Sequence, residues 1–404
     1  MNNKKIVFLV PEMGINYEQS GGAGTHIRGT IEGFKSHHID VLPVIAGDIF
    51  GLKSEVITTE SSTKKGTTRT VIKKIVPEKL RLLYRDFRRI YFDYKFEKKV
   101  IEQIRQYAPD AIYERSALFS TCGIRLSKKL NVPLILESDG CMPEIISMDF
   151  GLFSVRLANL VEKYKLKKTN YISAYNEFSK LFLTKKFDVP LDKIIVKPLG
   201  ISVSNRLVDE IEIQELKQKY DLLNKKVVGF VGAISKYHGV DLLVESASVL
   251  KSRNIIDIVI VIVGWSKEAE ELKLKVQQLR LTNVIFTGKV DKNMIPVYYK
   301  MFDVVVIPNS EPTIYPVKVL EYGAYGLCPI VPDYEVFHEI MVDKEHGFYF
   351  KKNSPVSLAD LLVSMFDVKT YKTVAKNWQQ KVLFDCTWEN SVKGLVTVVN
   401  NIKK

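Results

Sequence analysis

Two successive series of short apolar runs, each run followed by a segment with helical spacing, constrain the fold of this chain most strongly. The first series opens at residues 6–10, a continuous apolar run that leads into a loop containing Pro and Gly, as a buried parallel strand does. Further runs follow at residues 40–45, 111–113, 133–136, 171–174 and 194–196. Strands that alternate with helices predict a doubly wound α/β domain.

The pattern restarts at residues 227–232, where a strand runs into a glycine turn, and its last buried strand lies at residues 304–308. A chain of 404 residues is also too long for one ordinary core. We therefore predict two α/β domains of similar type, with a junction near residues 200–207.

The composition is that of a soluble globular protein, with 46% hydrophobic and 26% charged residues. No apolar run reaches the roughly 18 residues that a membrane-spanning helix needs, and the first run is too short for the core of a signal peptide. The four cysteines are scattered without C-x-x-C spacing, which favours a reducing cytosol and argues against a zinc site. We expect a cytoplasmic protein.

The net charge of +13 comes from two stretches, residues 64–105 and 156–168. A localised basic surface attracts anionic lipid head groups, nucleic acid or a phosphorylated substrate. No nucleic-acid-binding module is recognisable, so we expect no nucleic-acid partner. Residues 80–94 interleave arginines with apolar residues at helical spacing. This segment is either a helix packed on its own domain or an interfacial helix on an anionic membrane.

A proline-led motif at residues 316–326 has the features of a phosphate site. Pro316 is preset for the first position of a helix, Lys318 follows two residues later, and Glu321 follows three residues after that. Open amides and the positive end of the helix dipole attract phosphate, and the lysine adds a point charge. The carboxylate can accept hydrogen bonds from two neighbouring hydroxyls. The motif therefore suits a nucleoside-diphosphate sugar, and the alternative is a surface ion pair between Lys318 and Glu321.

Three glycine-bearing loops fall where an open α/β sheet binds its ligands, beyond the carboxyl ends of strands. They contain Gly21 and Gly22, then Gly232 with Lys236, then Gly264. Each loop alone can be an ordinary tight turn. Together with the proline-led motif they predict a nucleotide cleft between the domains.

A dinucleotide-binding oxidoreductase is a rival interpretation. Asp40 lies 18 residues after Gly22, near the spacing of a ribose-binding acid, but the third glycine of that fingerprint is missing. The sequence has no G-x-x-x-x-G-K-[ST] loop and no D-x-D triplet, and the latter argues against metal-dependent binding of a sugar nucleotide. We therefore expect neither a cofactor nor a metal.

Taken together, these residues resemble the family 4 retaining glycosyltransferases of the GT-B fold over nearly the whole chain. The most specific matches are the P-V-K-x-x-E-Y-x-A string at residues 316–324 and the tryptophan segment at residues 387–392. Weaker matches lie at residues 21–26, 113–116, 133–137, 228–232, 238–241 and 286–288. The resemblance implies two Rossmann-like doubly wound domains facing a central cleft. It assigns residues 1–200 to the acceptor side, residues 201–380 to the nucleotide sugar, and residues 381–404 to a helix that crosses back to the first domain.

The resemblance also implies roles in donor binding. Glu321 would bind the donor ribose, while Lys318 and Lys236 would neutralise the leaving diphosphate, which is often a large catalytic term. The other donor-binding positions are Gly21, Gly22, Gly232, Gly264, Thr313, Tyr315, Pro316 and Val317. Thr313 stands where the family has its first motif glutamate, and Ala233 and His238 stand where it often has arginine and lysine.

In the first domain, Glu137 or Asp139 would accept the acceptor's proton or hold a sugar hydroxyl, and His26 would touch the donor or the acceptor. Each of the three can instead be a structural residue or a solvated loop residue. Arg115 can reach the cleft or form a salt bridge at the end of its strand.

The implied activity is transfer of a hexose-type sugar from a nucleotide-diphosphate donor, UDP rather than GDP, to a glycan or lipid-linked acceptor in bacterial surface polysaccharide synthesis. Lipid-linked acceptors lie at the inner membrane face, so the two basic stretches would make peripheral contact with an anionic membrane there. The alternatives are a catalytically degenerate GT-B subunit that binds or positions a partner transferase, and a sugar-nucleotide epimerase on the same fold.

Overall fold

The computed structural model describes residues 3–18, 22–52, 76–138, 142–202, 208–234, 238–310, 315–368 and 370–402. The chain divides into two compact units. The first domain comprises residues 1–200 together with residues 388–404, and the second domain comprises residues 201–387.

Six parallel strands form the sheet of the first domain, in the order β2-β1-β3-β4-β5-β6. Their bounds are β1 Lys5–Val10, β2 Asp40–Ile45, β3 Ala111–Arg115, β4 Leu134–Glu137, β5 Tyr171–Ala174 and β6 Ile194–Val196. The continuous apolar runs form the central strands because both faces of those strands are buried by helices.

Helices cover both faces of this sheet. They are α1 Gly22–Ser36, α2 Ala46–Ile49, α3 Glu78–Tyr107, α4 Cys122–Leu130, α5 Met142–Phe150, α6 Val155–Lys168, α7 Glu177–Phe187 and, after the second domain, α16 Trp388–Asn401. A short 3₁₀ helix lies at Leu191–Lys193. Ile6 and Phe8 share a core cluster with α1 and α16, whereas Val7 and Leu9 share one with α3 and α4. Alternate side chains of β1 therefore pack into two separate hydrophobic cores.

Helix α16 packs closely on α1 through two glycines. A Cβ at Gly29 would lie 2.0 Å from Cε2 of Trp388, and one at Gly33 would lie 2.4 Å from the backbone oxygen of Trp388. Only a residue without a side chain allows this approach. At the far end of α16, the Lys4 ammonium donates to the Ile402 carbonyl at 2.7 Å.

The second domain repeats the design with a parallel sheet in the order β12-β11-β10-β7-β8-β9. The strands are β7 Lys226–Val231, β8 Ile258–Val263, β9 Val284–Gly288, β10 Val304–Val306, β11 Cys328–Pro332 and β12 Phe348–Phe350. The helices are α8 Glu210–Lys219, α9 Asp241–Ser252, α10 Glu268–Gln278, α11 Ile295–Met301, α12 Val317–Ala324, α13 Glu335–His338, α14 Pro355–Val368 and α15 Tyr371–Asp385, with a 3₁₀ helix at Lys292–Met294.

Each sheet has one point where the strand order reverses. In the first domain the chain leaves β1 towards β2 and returns on the other side of β1 with β3. In the second domain the corresponding neighbours are β7 and β10. Such a reversal opens a crevice at the carboxyl ends of the two strands, which is where open α/β sheets bind ligands. The prediction of two doubly wound α/β domains is confirmed.

Among the described residues, no helix combines the length and the apolar character that crossing a membrane requires.

Candidate functional site

Lys318 lies at the strand reversal of the second domain. It stands in the first turn of α12, which follows β10, and its Nζ atom is 2.8 Å from Nε2 of His238, in the loop after β7. The ammonium also lies 5.9 Å from the centre of the Phe230 ring on β7. Lys318 thus joins the loops that follow the two diverging strands.

Two glycines shape the floor beneath this lysine. A Cβ at Gly232 would lie 2.7 Å from Cε and 3.0 Å from Nζ of Lys318. Gly264 has φ of 138°, and a Cβ there would lie 1.9 Å from the backbone oxygen of Gly232. The structure therefore brings Gly232, Gly264 and Lys318 together, as three of the predicted donor-binding positions.

The ammonium of Lys318 has a neutral partner. Burial and, to a smaller extent, the charge of Lys318 lower the pKa of His238 to about 4, and a hydrogen bond with the backbone of Ala233 opposes both effects. His238 is consequently uncharged at neutral pH, and its Nε2 accepts a hydrogen bond from Lys318. Burial also lowers the pKa of Lys318, while the charge of Glu321 raises it.

Glu321 lies one turn after Lys318 on α12. Its Oε2 accepts a hydrogen bond from the Tyr299 hydroxyl at 3.4 Å, and the Tyr299 ring packs on Tyr325 with centres 4.8 Å apart. Burial raises the pKa of Glu321, while Lys318 and the Tyr299 hydroxyl lower it. Between these two described side chains no ion pair forms, so the alternative of a surface pair between Lys318 and Glu321 is wrong.

The start of α12 differs from the expected anion site. The Val317 amide donates to the Tyr315 carbonyl at 2.9 Å, and the Val319 amide donates to the Pro316 carbonyl at 3.0 Å. Two of the three amides in the first turn are therefore used within the chain. Tyr315 and Pro316 are buried, and burial raises the pKa of the Tyr315 hydroxyl. Charge for a phosphate at this point comes mainly from Lys318.

Four predicted site residues, Gly21, Asp139, Lys236 and Thr313, lie outside the described residues. Gly22 begins α1 in the first domain, and a Cβ built there meets no atom of the described residues within 4 Å. The position of Gly22 is therefore open to side chains in steric terms.

Glu137 and His26 meet in a buried polar cluster of the first domain. Oε2 of Glu137 lies 3.1 Å from Nζ of Lys197 and 3.2 Å from Nε2 of His26, and Nζ of Lys197 lies 3.1 Å from the same histidine nitrogen. The hydroxyl of Tyr113 also donates to Oε2, and that of Tyr175 donates to Oε1 at 3.1 Å. All four polar partners converge on one carboxylate.

The cluster holds Glu137 ionised. Burial alone would raise its pKa, but the charges of His26 and Lys197 and their hydrogen bonds keep the pKa well below the usual range. Burial lowers the pKa of His26 to about 4, so Lys197 is the standing counter-charge at neutral pH. Nδ1 of His26 is buried without a hydrogen-bond partner among the described residues.

Sequence reasoning missed Lys197, Tyr113, Tyr175 and Trp388 as members of this cluster. The Lys197 ammonium lies 5.7 Å from the Trp388 ring centre. One feature of the sequence could have indicated the cluster, namely that Lys197 directly follows the apolar strand β6. The structure buries this lysine fully, and a fully buried lysine requires a polar or charged partner. Arg115 forms a salt bridge with Glu12 at 3.0 Å, which is the alternative predicted for it.

Residues 212–382 match the sequence model of the family described as glycosyl transferases group 1. Two curated relatives from Methanocaldococcus jannaschii, the uncharacterized glycosyltransferases MJ1069 and MJ1607, are each 24% identical, over 58% and 56% of this chain. The chain spans 59% and 61% of the lengths of these relatives.

Three solved structures share the fold over almost their whole length. A glycosyltransferase from Rickettsia africae has a TM-score of 0.69 at 17% identity, covering 100% of this chain and 99% of its own. Anabaena HepE in complex with UDP has a TM-score of 0.68 at 17% identity, covering 98% and 99%. Sucrose-phosphate synthase from Thermosynechococcus elongatus has a TM-score of 0.69 at 16% identity, covering 98% of each chain. The fold is GT-B, and the family match and the relatives support a transferase.

Proposed function

We propose that this GT-B protein is a retaining, metal-independent glycosyltransferase that moves a hexose-type sugar from a nucleotide-diphosphate donor to a glycan or lipid-linked acceptor in bacterial surface polysaccharide synthesis. The observation that carries the proposal is the ammonium of Lys318. It lies at the strand reversal of the second domain, packed on Gly232, with a neutral histidine as its contact.

The donor diphosphate would take the place of His238 as the partner of Lys318. A phosphate oxygen is a stronger acceptor for an ammonium than a neutral imidazole, because the bond is then assisted by both charges. The same ammonium would stabilise the charge that develops on the diphosphate as it leaves. One turn later, Glu321 would accept hydrogen bonds from the ribose hydroxyls.

UDP is the preferred donor nucleotide in this proposal. The structures of HepE were solved with UDP, with UDP and glucose, and with UDP-glucose. They support a UDP-sugar for this chain by similarity of fold only. A screen of UDP-sugars would identify the sugar itself.

Glu137 fits a positioning role better than the role of an acceptor's base. Its side chain is fully buried, four groups surround the carboxylate, and its pKa is well below the usual range, so it is a weak proton acceptor at neutral pH. We assign it to holding Lys197 against His26, which is a residue of α1. Asp139 remains a prediction for the proton-accepting role.

The first domain would also contact an anionic membrane. Tyr84, Phe87 and Tyr91 on α3 are 64–69% exposed, and Met148 and Leu160 on α5 and α6 are 73% and 65% exposed. Exposed apolar side chains flanked by arginines and lysines are typical of an interfacial surface, where each basic residue contributes about 1 kcal/mol near anionic lipid.

Co-sedimentation with vesicles tests this part of the proposal. We expect binding to vesicles that contain phosphatidylglycerol and little binding to vesicles of phosphatidylcholine alone. Phe87→Ser should weaken the binding, whereas Leu274→Ser should leave it unchanged, because Leu274 is an exposed apolar residue of the second domain. Failure to bind anionic vesicles would contradict membrane contact while leaving the donor site intact.

Calorimetry with UDP and GDP tests the function itself. We expect UDP to bind more tightly than GDP, and a screen of UDP-sugars with mass spectrometry should then detect transfer or donor hydrolysis. A folded protein that binds neither nucleotide would contradict the proposal. Nucleotide binding without hydrolysis or transfer, together with a stable complex with another transferase, would instead favour the degenerate subunit.

A further inference from the structure

A cavity of about 370 Å³ lies at the strand reversal of the first domain. It opens beyond the carboxyl ends of β1 and β3, between α3 and the start of α5, and no role has been assigned to it above. Its charged wall consists of Arg85, Arg88 and Arg89 on α3, and its apolar wall includes Phe92, Met142 and Ile146. This is the position at which an open α/β sheet is expected to bind a ligand.

The positive charge of this arginine pocket exceeds the carboxylates that could neutralise it. Within the described part of the chain, Asp86 is the one carboxylate that forms ion pairs with Arg85 and Arg89, at 3.4 and 3.2 Å, and its second oxygen accepts a hydrogen bond from the Phe153 amide. Arg88 is exposed and has no ion-pair partner among the described residues. Two of the three guanidinium groups therefore share one carboxylate, and the third pairs with none of the described carboxylates.

The other carboxylates of the pocket are already paired outside it. Glu12 binds Arg115 at 3.0 Å. Asp93 binds Arg125 at 2.9 Å and accepts a hydrogen bond from Ser120 at 2.5 Å. Both carboxylates therefore pair with other arginines, although the charge of Glu12 also raises the pKa of Arg89.

The two partly buried arginines differ in their tasks. Arg85 donates to the carbonyls of Phe150 and Gly151 at 2.9 and 2.5 Å, which anchors the end of α5 to α3. Arg89 makes no such anchor, and burial, followed by the charge of Arg85, lowers its pKa. The charges of Asp86 and Glu12 oppose these effects, and an anion in the pocket would oppose them further.

From the three arginines and the apolar wall, we propose that the pocket binds the phosphate ester of the acceptor, with Arg88 and Arg89 holding the phosphate and the apolar wall contacting the group that bears it. Guanidinium groups match phosphate oxygens in a bidentate geometry. The word acceptor rests on the function proposed above, whereas the phosphate site rests on the pocket alone. The source is either a soluble sugar phosphate or a lipid phosphate.

Titration calorimetry with soluble probes tests the site in the full chain saturated with UDP. Hexyl phosphate represents a lipid phosphate, glucose 1-phosphate a sugar phosphate, and hexanol the neutral control. We expect at least one phosphate ester to bind and hexanol to bind far more weakly. Tighter binding of hexyl phosphate indicates a lipid-linked acceptor, and tighter binding of glucose 1-phosphate indicates a soluble one.

Substitutions then locate the binding. Arg88→Ala should weaken the phosphate ester roughly ten- to a hundredfold, as expected for loss of a charge-assisted hydrogen bond. Arg89→Lys, which keeps the charge and the pair with Asp86, should cause a smaller loss. Arg105→Ala on the same helix removes an exposed arginine away from the pocket and serves as the matched control.

The test of the arginine pocket can fail or succeed independently of the test of the donor site. Arg88→Ala should keep the affinity for UDP, while Lys318→Ala should lose UDP and keep the phosphate ester. The inference is overturned if no phosphate ester binds, or if Arg88→Ala and Arg105→Ala bind it equally well, even where UDP binding is normal.

Discussion

Replacing Gly232 by alanine should weaken donor binding without unfolding the protein. An alanine Cβ would lie 2.7 Å from Cε of Lys318, and the next contacts are Nζ at 3.0 Å and Cζ of Phe230 at 3.3 Å. Carbon atoms need roughly 3.5 Å, so the end of the lysine must move by about 0.8 Å or more. The flexible side chain gives way, and the ammonium leaves the position that we assign to the diphosphate.

The expected size of the two effects follows from the same geometry. The backbone at Gly232 lies outside the left-handed region, so alanine is sterically allowed there. A compatible Gly-to-Ala change stabilises by about 0.4–1 kcal/mol through the unfolded chain, which offsets part of the local crowding. We expect the free energy of unfolding to change by less than about 1 kcal/mol. A charge-assisted contact is worth about 1.5–3 kcal/mol, so misplacing it should weaken UDP binding by up to roughly ten- to a hundredfold.

Urea unfolding and calorimetry with UDP measure both quantities on one preparation. Gly264→Ala is the matched control, because its φ of 138° and a Cβ 1.9 Å from a backbone oxygen predict a large loss of stability. Wild-type affinity for UDP in a folded Gly232→Ala variant would refute the reasoning. So would a loss of stability as large as that of Gly264→Ala.

Four further predictions concern single residues. Glu321→Gln should weaken UDP binding about tenfold but leave the affinity for inorganic diphosphate unchanged, because only the ribose contact is lost; equal losses for both ligands would contradict this. Donor binding should raise the pKa of His238 from about 4, so the affinity for UDP should increase as pH falls from neutral. Calorimetry in two buffers should then show that UDP binding is accompanied by proton uptake, and His238→Asn should abolish this uptake. Gly33→Ala should reduce the free energy of unfolding by about 1–3 kcal/mol because its Cβ would meet the Trp388 carbonyl, and an unchanged urea midpoint would count against the α1–α16 packing. Glu137→Gln should cost about 3 kcal/mol at pH 7 by leaving a buried lysine unpaired. Because the folded-state pKa of Glu137 is lowered, its stabilisation is fully present above the unfolded pKa and is lost only as pH falls through the folded pKa, so the difference in free energy of unfolding between variant and wild type should begin to narrow only below about pH 4.

The sequence predicted the fold well because the strands of both sheets are nearly continuous apolar runs. Residues 6–10 and 258–263 are buried on both faces. A parallel strand in the middle of a sheet is the simplest element that can pair the backbone groups of such short apolar runs. The position of the donor site could also be predicted from the sequence, because Gly232 and Lys318 follow strands that a doubly wound sheet places side by side.

Contacts between side chains from distant segments could not be predicted in the same way. Glu137 was expected at a strand end that faces a ligand, yet Tyr113 on the adjacent strand β3 and Lys197, directly after β6, enclose it. The internal hydrogen bonds of the first turn of α12 were likewise invisible in the sequence, because Pro316 and Val317 fit an open helix start equally well. The partner of Lys318 depends on a loop conformation that brings His238 within 2.8 Å.

The affinity of UDP for wild type and for Lys318→Met, measured by calorimetry on proteins with equal urea midpoints, tests the central claim most directly. Methionine keeps much of the volume of lysine and removes the charge. We predict that wild type binds UDP and that the variant binds it at least tenfold more weakly, as the loss of a charge-assisted contact requires. Equal affinity of the two proteins, or no binding by either, would contradict the assignment of Lys318 as the diphosphate-binding residue.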